Sequence, residues 1–271
     1  MWYNNSMQTY NQVDDSINPA VKREYWDVAF GLQAVDGLRP SKYLETLADE
    51  HVEGTKSYTE VAEAINNYYQ HNQQSAPDKE ADIVSKSIYA ILADDSFSFN
   101  LVTFKGYHRR LFEELNHEVF HPGEFRKVNI TKKEPILNGD TVQYQDYGLL
   151  EESLQYDFNE EQSIDYVSMT PSEKIGRIAT FTSRIWQVHP FREGNTRTTA
   201  VFIEKYLRSL GFTVDNKLFE KHSTYFRNAL VRANYNNLPL GIKATDEYLI
   251  RFFENLLQAK ERTLDETAMH I

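Results

Sequence analysis

Cysteine is absent from the 271 residues. Disulfides, thiolate zinc sites and a cysteine nucleophile are thereby excluded. Long apolar runs are missing as well, since nothing approaches the roughly 18–20 residues that span a bilayer. The first dozen residues are polar and lack the basic-then-apolar order of a secretory signal. Positive charge is scarce: 29 Lys and Arg stand against 40 Asp and Glu, a net charge of −11. A nucleic-acid footprint is therefore not expected beyond a local basic patch. No repeat of fixed period is present. What is there is a chain 41% hydrophobic and 13% aromatic, enough for a sizeable core. Its length allows one large domain or two small ones. The expectation is a soluble protein of a reducing compartment, most simply the cytoplasm, with neither membrane nor specific nucleic acid as partner.

Polar residues 1–18 read as a flexible tail. A helix begins at Pro19 with Asn18 as N-cap and carries Val21, Tyr25, Val28 and Leu32 at helical spacing until Gly37 breaks it. Pro40-Ser41 opens a second helix that ends at Gly54, and Ser57 opens a third. Residues 71–80 read as a linker. Helical patterns follow at 83–92 and 101–117, the latter started at Asn100 and with Phe104, His108, Leu111 and Phe112 on its apolar spacing. Residues 122–150 hold two β-rich pieces, 128–130 and 141–144, around the turn signal Asn138-Gly139-Asp140, which predicts a hairpin flap. Helices return at 172–187, after a loop from residue 195 to Gly211, and at 225–234 and 246–257. The fold class is mainly α with one small β element. Tyr68-Tyr69 and Phe252-Phe253 read as core packing or a homo-oligomer contact, and residues 260–271 as a charged, solvated stretch.

The loop between two of these helices reads His189-Pro190-Phe191-Arg192-Glu193-Gly194-Asn195-Thr196-Arg197. The first amides of the following helix lack partners and make an anion site. Gly194 permits close backbone approach. Asn195 can cap the helix, and Arg197 offers a planar fork to a phosphate. Glu193 beside phosphates calls for a cation between them, and Mg²⁺ is the usual one. His189 is the natural general base.

This string resembles the Fic family signature, His-x-Phe-x-acid-Gly-Asn-x-Arg, and the resemblance extends over roughly residues 82–260. It implies a Fic-like helical bundle with a β-hairpin flap, and transfer of AMP from ATP to a Ser, Thr or Tyr hydroxyl of a protein, itself included. His189 would deprotonate the hydroxyl. Glu193 would hold Mg²⁺, Asn195 would touch the α-phosphate, and the amides from Arg192 through Gly194 to Thr196 would form the anion nest. Arg197 would take the β-phosphate and Phe191 would anchor the loop. Ile130, Thr131, Lys132 and Lys133 of the flap would pair with the target segment, while Tyr225 and Asn234 would line the adenine pocket. Ala200 stands where many relatives carry a second Arg, and Thr196 where Gly or Lys is usual. Transfer of another phosphate-linked group, or nucleotide binding without catalysis, therefore stays open.

The resemblance also divides the chain into an antitoxin-like regulatory unit at 19–72 and a catalytic domain at 73–271. Family members are commonly restrained by a Ser/Thr-x-x-x-Glu-Gly/Asn helix. Here Leu32, Asp36 and Gly37 occupy those places, and Ala200 replaces the arginine that the acid would meet. Inhibition by this helix is therefore expected to be weak or absent. His117-Glu118-Val119-Phe120-His121 matches the zinc-protease string, but Pro122-Gly123 ends the helix at once and no third ligand follows at a suitable spacing.

Overall fold

The computed structural model describes residues 17–71, 78–214 and 217–271. The expected tail, up to residue 16, and most of the expected linker lie outside these residues. Eleven α-helices order the described chain. They are α1 (Pro19–Gly31), α2 (Lys42–Val52), α3 (Tyr58–His71), α4 (Lys79–Ala93), α5 (Leu101–Phe112), the single turn α6 (His117–Phe120), α7 (Leu150–Gln162), α8 (Pro171–Val188), α9 (Asn195–Ser209), α10 (Lys217–Ala233) and α11 (Glu247–Gln258).

Local chemistry starts them where expected. Asn18 Oδ1 accepts from the Ala20 amide at 2.8 Å, Ser41 Oγ from Leu44 at 3.1 Å, and Asn100 Oδ1 from Thr103 at 2.8 Å. Thr170 and Glu173 form a capping box ahead of Pro171 at N1 of α8. α1 runs into a 3₁₀ turn (Leu32–Asp36), which Gly37 closes at φ 72°. α7 had no counterpart in the sequence reading, although Leu150, Leu154 and Phe158 recur at every fourth position and are buried.

One hydrophobic cluster runs from Tyr25 to Met269 and includes helices on both sides of the expected linker. α1 packs chiefly against α4 and α10. Trp26 stacks on Tyr89 of α4 at 4.6 Å. A Cβ on Gly31 would fall 2.4 Å from Glu220 Cα of α10, so only glycine allows that approach. Residues 260–271 are largely exposed, as expected, but their end is tied to the core. Met269 is fully buried, Glu266 accepts from Asn228 at 2.6 Å, and the Ile271 amide donates to the Ile136 carbonyl at 3.1 Å.

The flap has its turn but no ladder among the described residues. Asn138 and Gly139 both take positive φ and Asp140 N–H returns to the Leu137 carbonyl at 3.0 Å, the geometry of a type I′ turn. Pairing stops after the Glu134 N–H bond to the Asp140 carbonyl. The Lys132 amide meets the Thr141 hydroxyl at 3.2 Å instead of a carbonyl, and the limbs continue as extended, unpaired chain. The isolated bridge between Asn237 and Ile242 is the one β-pair among the described residues.

Candidate active site

α8 ends because His189 takes a left-handed conformation (φ 50°, ψ 56°) and Pro190 cannot continue the helix. The turn then reverses into α9 through Gly194 at φ 74°. Phe191 is fully buried. Its ring lies flat on the His108 imidazole, with centroids 3.7 Å apart and planes 5° apart, so its expected anchoring place is where the structure puts it. His108 Nε2 lies 3.1 Å from the Glu193 carbonyl and its Nδ1 accepts from the Gly123 amide at 2.9 Å. A carbonyl can only accept, so Nε2 carries the proton and the ring is neutral. Burial pushes its pKa down to about 3.

The His189 ring sits between Tyr144, stacked at 4.0 Å, and the edge of Trp186 at 5.2 Å. Its Nδ1 lies 3.2 Å from the Trp186 carbonyl, which leaves the lone pair on Nε2. Burial, reinforced by Lys132, Arg126 and Arg227, pushes its pKa down to about 3. The ring lines a cavity of about 540 Å³ together with Ile130, Thr131, Lys132, Glu193, Gly194 and Thr196. Arg192 and Arg227 add two more cations to that wall, which also carries the carboxylates of Asp36, Glu118, Glu134 and Glu193. The free amides at the start of the 15-residue α9 open on the same space.

Other expected residues do different work. Asn195 is the first residue of α9 and Gly194 is its cap. The Asn195 side chain closes the loop, with Oδ1 accepting from the Phe191 amide and Nδ2 donating to the Phe191 carbonyl, each at 2.9 Å. Thr196 Oγ1 accepts from Trp186 Nε1 at 3.0 Å. Lys133 is exposed on the flap but does not line the cavity. Tyr225 and Asn234 are not brought to this cavity. Tyr225 is buried beside Phe252 with its hydroxyl on the Tyr248 carbonyl, and Asn234 donates to Ser183 Oγ at 2.9 Å in a separate groove. Contacts with α11 for Tyr225 and with α8 for Asn234, both invisible in the local string, decide this.

Arg197 is 1% exposed and its guanidinium is already engaged. Nη2 donates to Glu80 at 2.7 Å, Nη1 to Gln33 at 3.2 Å, and Nε lies 3.0 Å from Asp36. Asp36 also lies 3.7 Å from Lys132 Nζ. The acid that was expected to lack a partner at Ala200 thus meets a different arginine. Leu32 is fully buried, as is Ala200 at 1% exposure. Glu193 faces the space between these groups, and its pKa is raised by burial and by the Asp36 and Glu80 carboxylates.

The structure removes the zinc reading. α6 ends at Phe120 and His121 lies beyond it at φ 44°. His117 Nε2 turns to the Glu113 carbonyl at 2.7 Å, whereas His121 Nε2 accepts from Arg192 at 2.9 Å. No cluster of three metal-ligating side chains occurs among the described residues. No helix there is long and apolar enough to cross a membrane.

Sequence reasoning missed Glu134, fully buried and 2.7 Å from Arg227, and Arg126, whose bonds to the loop are described below. Neither carries a local pattern that singles it out.

Residues 98–207 match the family model described as Fic/DOC family. The chain is similar in fold to a crystal structure of a Fic domain containing signaling protein from Bacteroides thetaiotaomicron VPI-5482, with a TM-score of 0.51 and 15% identity over 92% of this chain and 99% of that one. No curated protein matches the chain. The signature loop, the helices that hold it and the matched span coincide, and residues 98–207 form a Fic/DOC family domain.

Proposed function

We propose that the protein is an adenylyltransferase that moves AMP from ATP to a Ser, Thr or Tyr hydroxyl of a protein, itself included. The observation that carries this reading is the tautomer and place of His189. Its Nδ1 is tied to the Trp186 carbonyl and its ring lines a cavity that holds Lys132, Arg192, Arg227 and the first residues of α9. A neutral imidazole is ready to accept a proton, and the charge of bound phosphates offsets the burial that disfavours its protonated form.

In the transfer, the target hydroxyl gives its proton to His189 Nε2 and its oxygen bonds to the α-phosphorus. The bond from that phosphorus to the bridging oxygen breaks, and pyrophosphate leaves. Lys132, Arg192 and Arg227 balance the triphosphate charge, and the first amides of α9 hold its oxygens. Arg197 can take the β-phosphate only after exchanging its carboxylate partners. Glu193 suits Mg²⁺: it is a cavity-wall carboxylate of the signature loop whose charge is disfavoured until a cation arrives. Mg²⁺ held there would neutralise phosphate charge. The extended, exposed flap around Thr131 leaves main-chain groups for a target strand.

The test is intact-mass and peptide mass spectrometry after incubation with ATP and Mg²⁺. A gain of one AMP unit on a hydroxyl side chain is expected, lost by about 10²–10⁴-fold in rate in His189→Ala with ATP affinity retained. A phosphate-sized gain, or ATP bound with no gain, defeats the reading.

A further inference from the structure

Arg126 stands at the start of the flap and is 3% exposed. A guanidinium so deeply buried ordinarily faces a carboxylate. This one gives every hydrogen bond seen among the described residues to main-chain carbonyls. Nε donates to His189 at 2.8 Å and Nη1 to Val128 at 2.6 Å. Nη2 donates to Gln145, with a longer 3.4 Å contact to Val188. The Arg126 main-chain amide adds a bond to Pro190 at 2.8 Å.

Those five carbonyls belong to two structures that must act together. Val188, His189 and Pro190 are consecutive and form the turn that carries the base. Val188 ends an 18-residue helix and His189 caps it, so their carbonyls lack helical partners and lie at the negative end of its dipole. Val128 and Gln145 lie on opposite limbs of the flap, which no ladder joins at that level. One planar fork with fixed donor directions therefore holds the base-bearing turn and both limbs at set distances. Gln145 is followed by Asp146, which favours the charged fork, while burial opposes it. Tyr144, next to Gln145, is the residue that stacks on the His189 ring.

We propose that Arg126 is a positioning residue of the transfer reaction, fixing the His189 ring and the flap as one unit. Its effect on rate rests on the adenylyl-transfer reading, whereas its effect on the His189 ring does not. Without the fork, the carbonyls of Val188 and His189 are orphaned and the left-handed His189 is free to relax. The limb that carries Tyr144 then moves off the ring. A base displaced by about 1 Å can cost about 10²-fold in rate without touching the phosphate contacts.

The experiment compares wild type, Arg126→Gln and Arg126→Lys in the full chain. Self-modification at saturating ATP gives the rate, a fluorescent ATP analogue gives affinity, and NMR of the histidine ring in the free protein gives the His189 titration and tautomer. Arg126→Gln is expected to slow self-modification about 10²-fold while ATP affinity changes less than about threefold. Its His189 ring is expected to titrate between pH 5 and 8, where the wild-type ring is silent and protonated on Nδ1. Arg126→Lys keeps the charge and part of the bonding, so it should fall between the two. It also serves as the folded variant should the glutamine form not fold. A His189 ring that stays silent in the variants, or a loss of ATP affinity as large as the loss of rate, overturns the proposal. A wild type that modifies nothing defeats the adenylyl-transfer reading instead, and the ring titration, which needs no turnover, still decides on Arg126.

Discussion

Asp36 and Arg197 face each other at 3.0 Å, a carboxylate of the N-terminal helices against the arginine that closes the signature loop. Glu80 lies 2.7 Å from the same guanidinium. On the proposed role of Arg197, a phosphate there would displace one or both acids, and the pairing would oppose nucleotide binding. Removing residues 19–72 would test this poorly, because Trp26 of α1 and Leu32 of the turn after it are buried in the core. Asp36→Ala combined with Glu80→Gln is the cleaner change. It should tighten ATP binding by about tenfold, equivalent to about 1.4 kcal/mol, and lower folding stability by about 1–3 kcal/mol because Arg197 stays buried with fewer partners. Titration with a fluorescent ATP analogue checks it; unchanged affinity means that the acids do not compete with phosphate.

The two buried histidines of the site make stability depend on pH. His108 and His189 both titrate near 3 in the folded chain, against about 6.5 unfolded. The unfolded state binds the extra protons between those values, so stability is full above pH 6.5 and falls as pH drops towards 3. Each group contributes up to about 5 kcal/mol across that window. His108→Gln can keep a donor towards Glu193 and an acceptor for Gly123 yet cannot titrate. Urea unfolding at pH 7, 6, 5 and 4 should show a shallower decline for this variant than for wild type. Parallel declines would mean that His108 is not the group that senses pH.

How much of this was legible in the sequence depended on range. Helix starts at Asn18, Ser41 and Asn100 rest on a side chain and an amide two or three positions away, so they could be read directly. The signature loop was legible as a contiguous string, and the anchoring place of Phe191 was implied by the family resemblance that string carries. The turn at Asn138-Gly139 was visible as well, whereas the missing ladder was not, because pairing depends on what the opposite limb offers. α7 was hidden beside β-rich neighbours despite the spacing of Leu150, Leu154 and Phe158. That Tyr225 and Asn234 lie apart from the cavity was not legible, because their partners Tyr248 and Ser183 are distant in sequence. The Asp36 contact lies between segments far apart in sequence, where no spacing rule applies.

Gly194 was read as room for a ligand, and its neighbour turns out to be a ring. A Cβ there would fall 2.1 Å from Phe112 Cζ in a backbone at φ 74°. Gly194→Ala therefore combines left-handed strain with overpacking, about 2–5 kcal/mol in sum. Adding Phe112→Ala removes the clash and leaves the strain, so unfolding by denaturant should show part of the loss recovered relative to the two single changes added together. Additive losses would mean that the ring is not what excludes a side chain at this position.

Glu134 and Arg227 allow stability and binding to be separated. Their 2.7 Å bond is buried, with Glu134 fully enclosed, and it joins the flap to α10. Tyr144, the ring against His189, reaches the other carboxylate oxygen of Glu134 at 3.5 Å. Removing one partner strands a buried charge, so Glu134→Ala or Arg227→Met alone should cost about 3–5 kcal/mol. Glu134→Leu with Arg227→Met replaces both charges by apolar volume and should recover most of that stability. Arg227 also lines the cavity beside His189. The stable double variant should therefore still bind ATP more weakly, by about tenfold for one lost cation, or about 1.4 kcal/mol. Thermal unfolding and ATP titration on the same four proteins give both readings. Wild-type affinity in the double variant would place the triphosphate away from α10, leaving Lys132 and Arg192 as the cations of that wall to meet it.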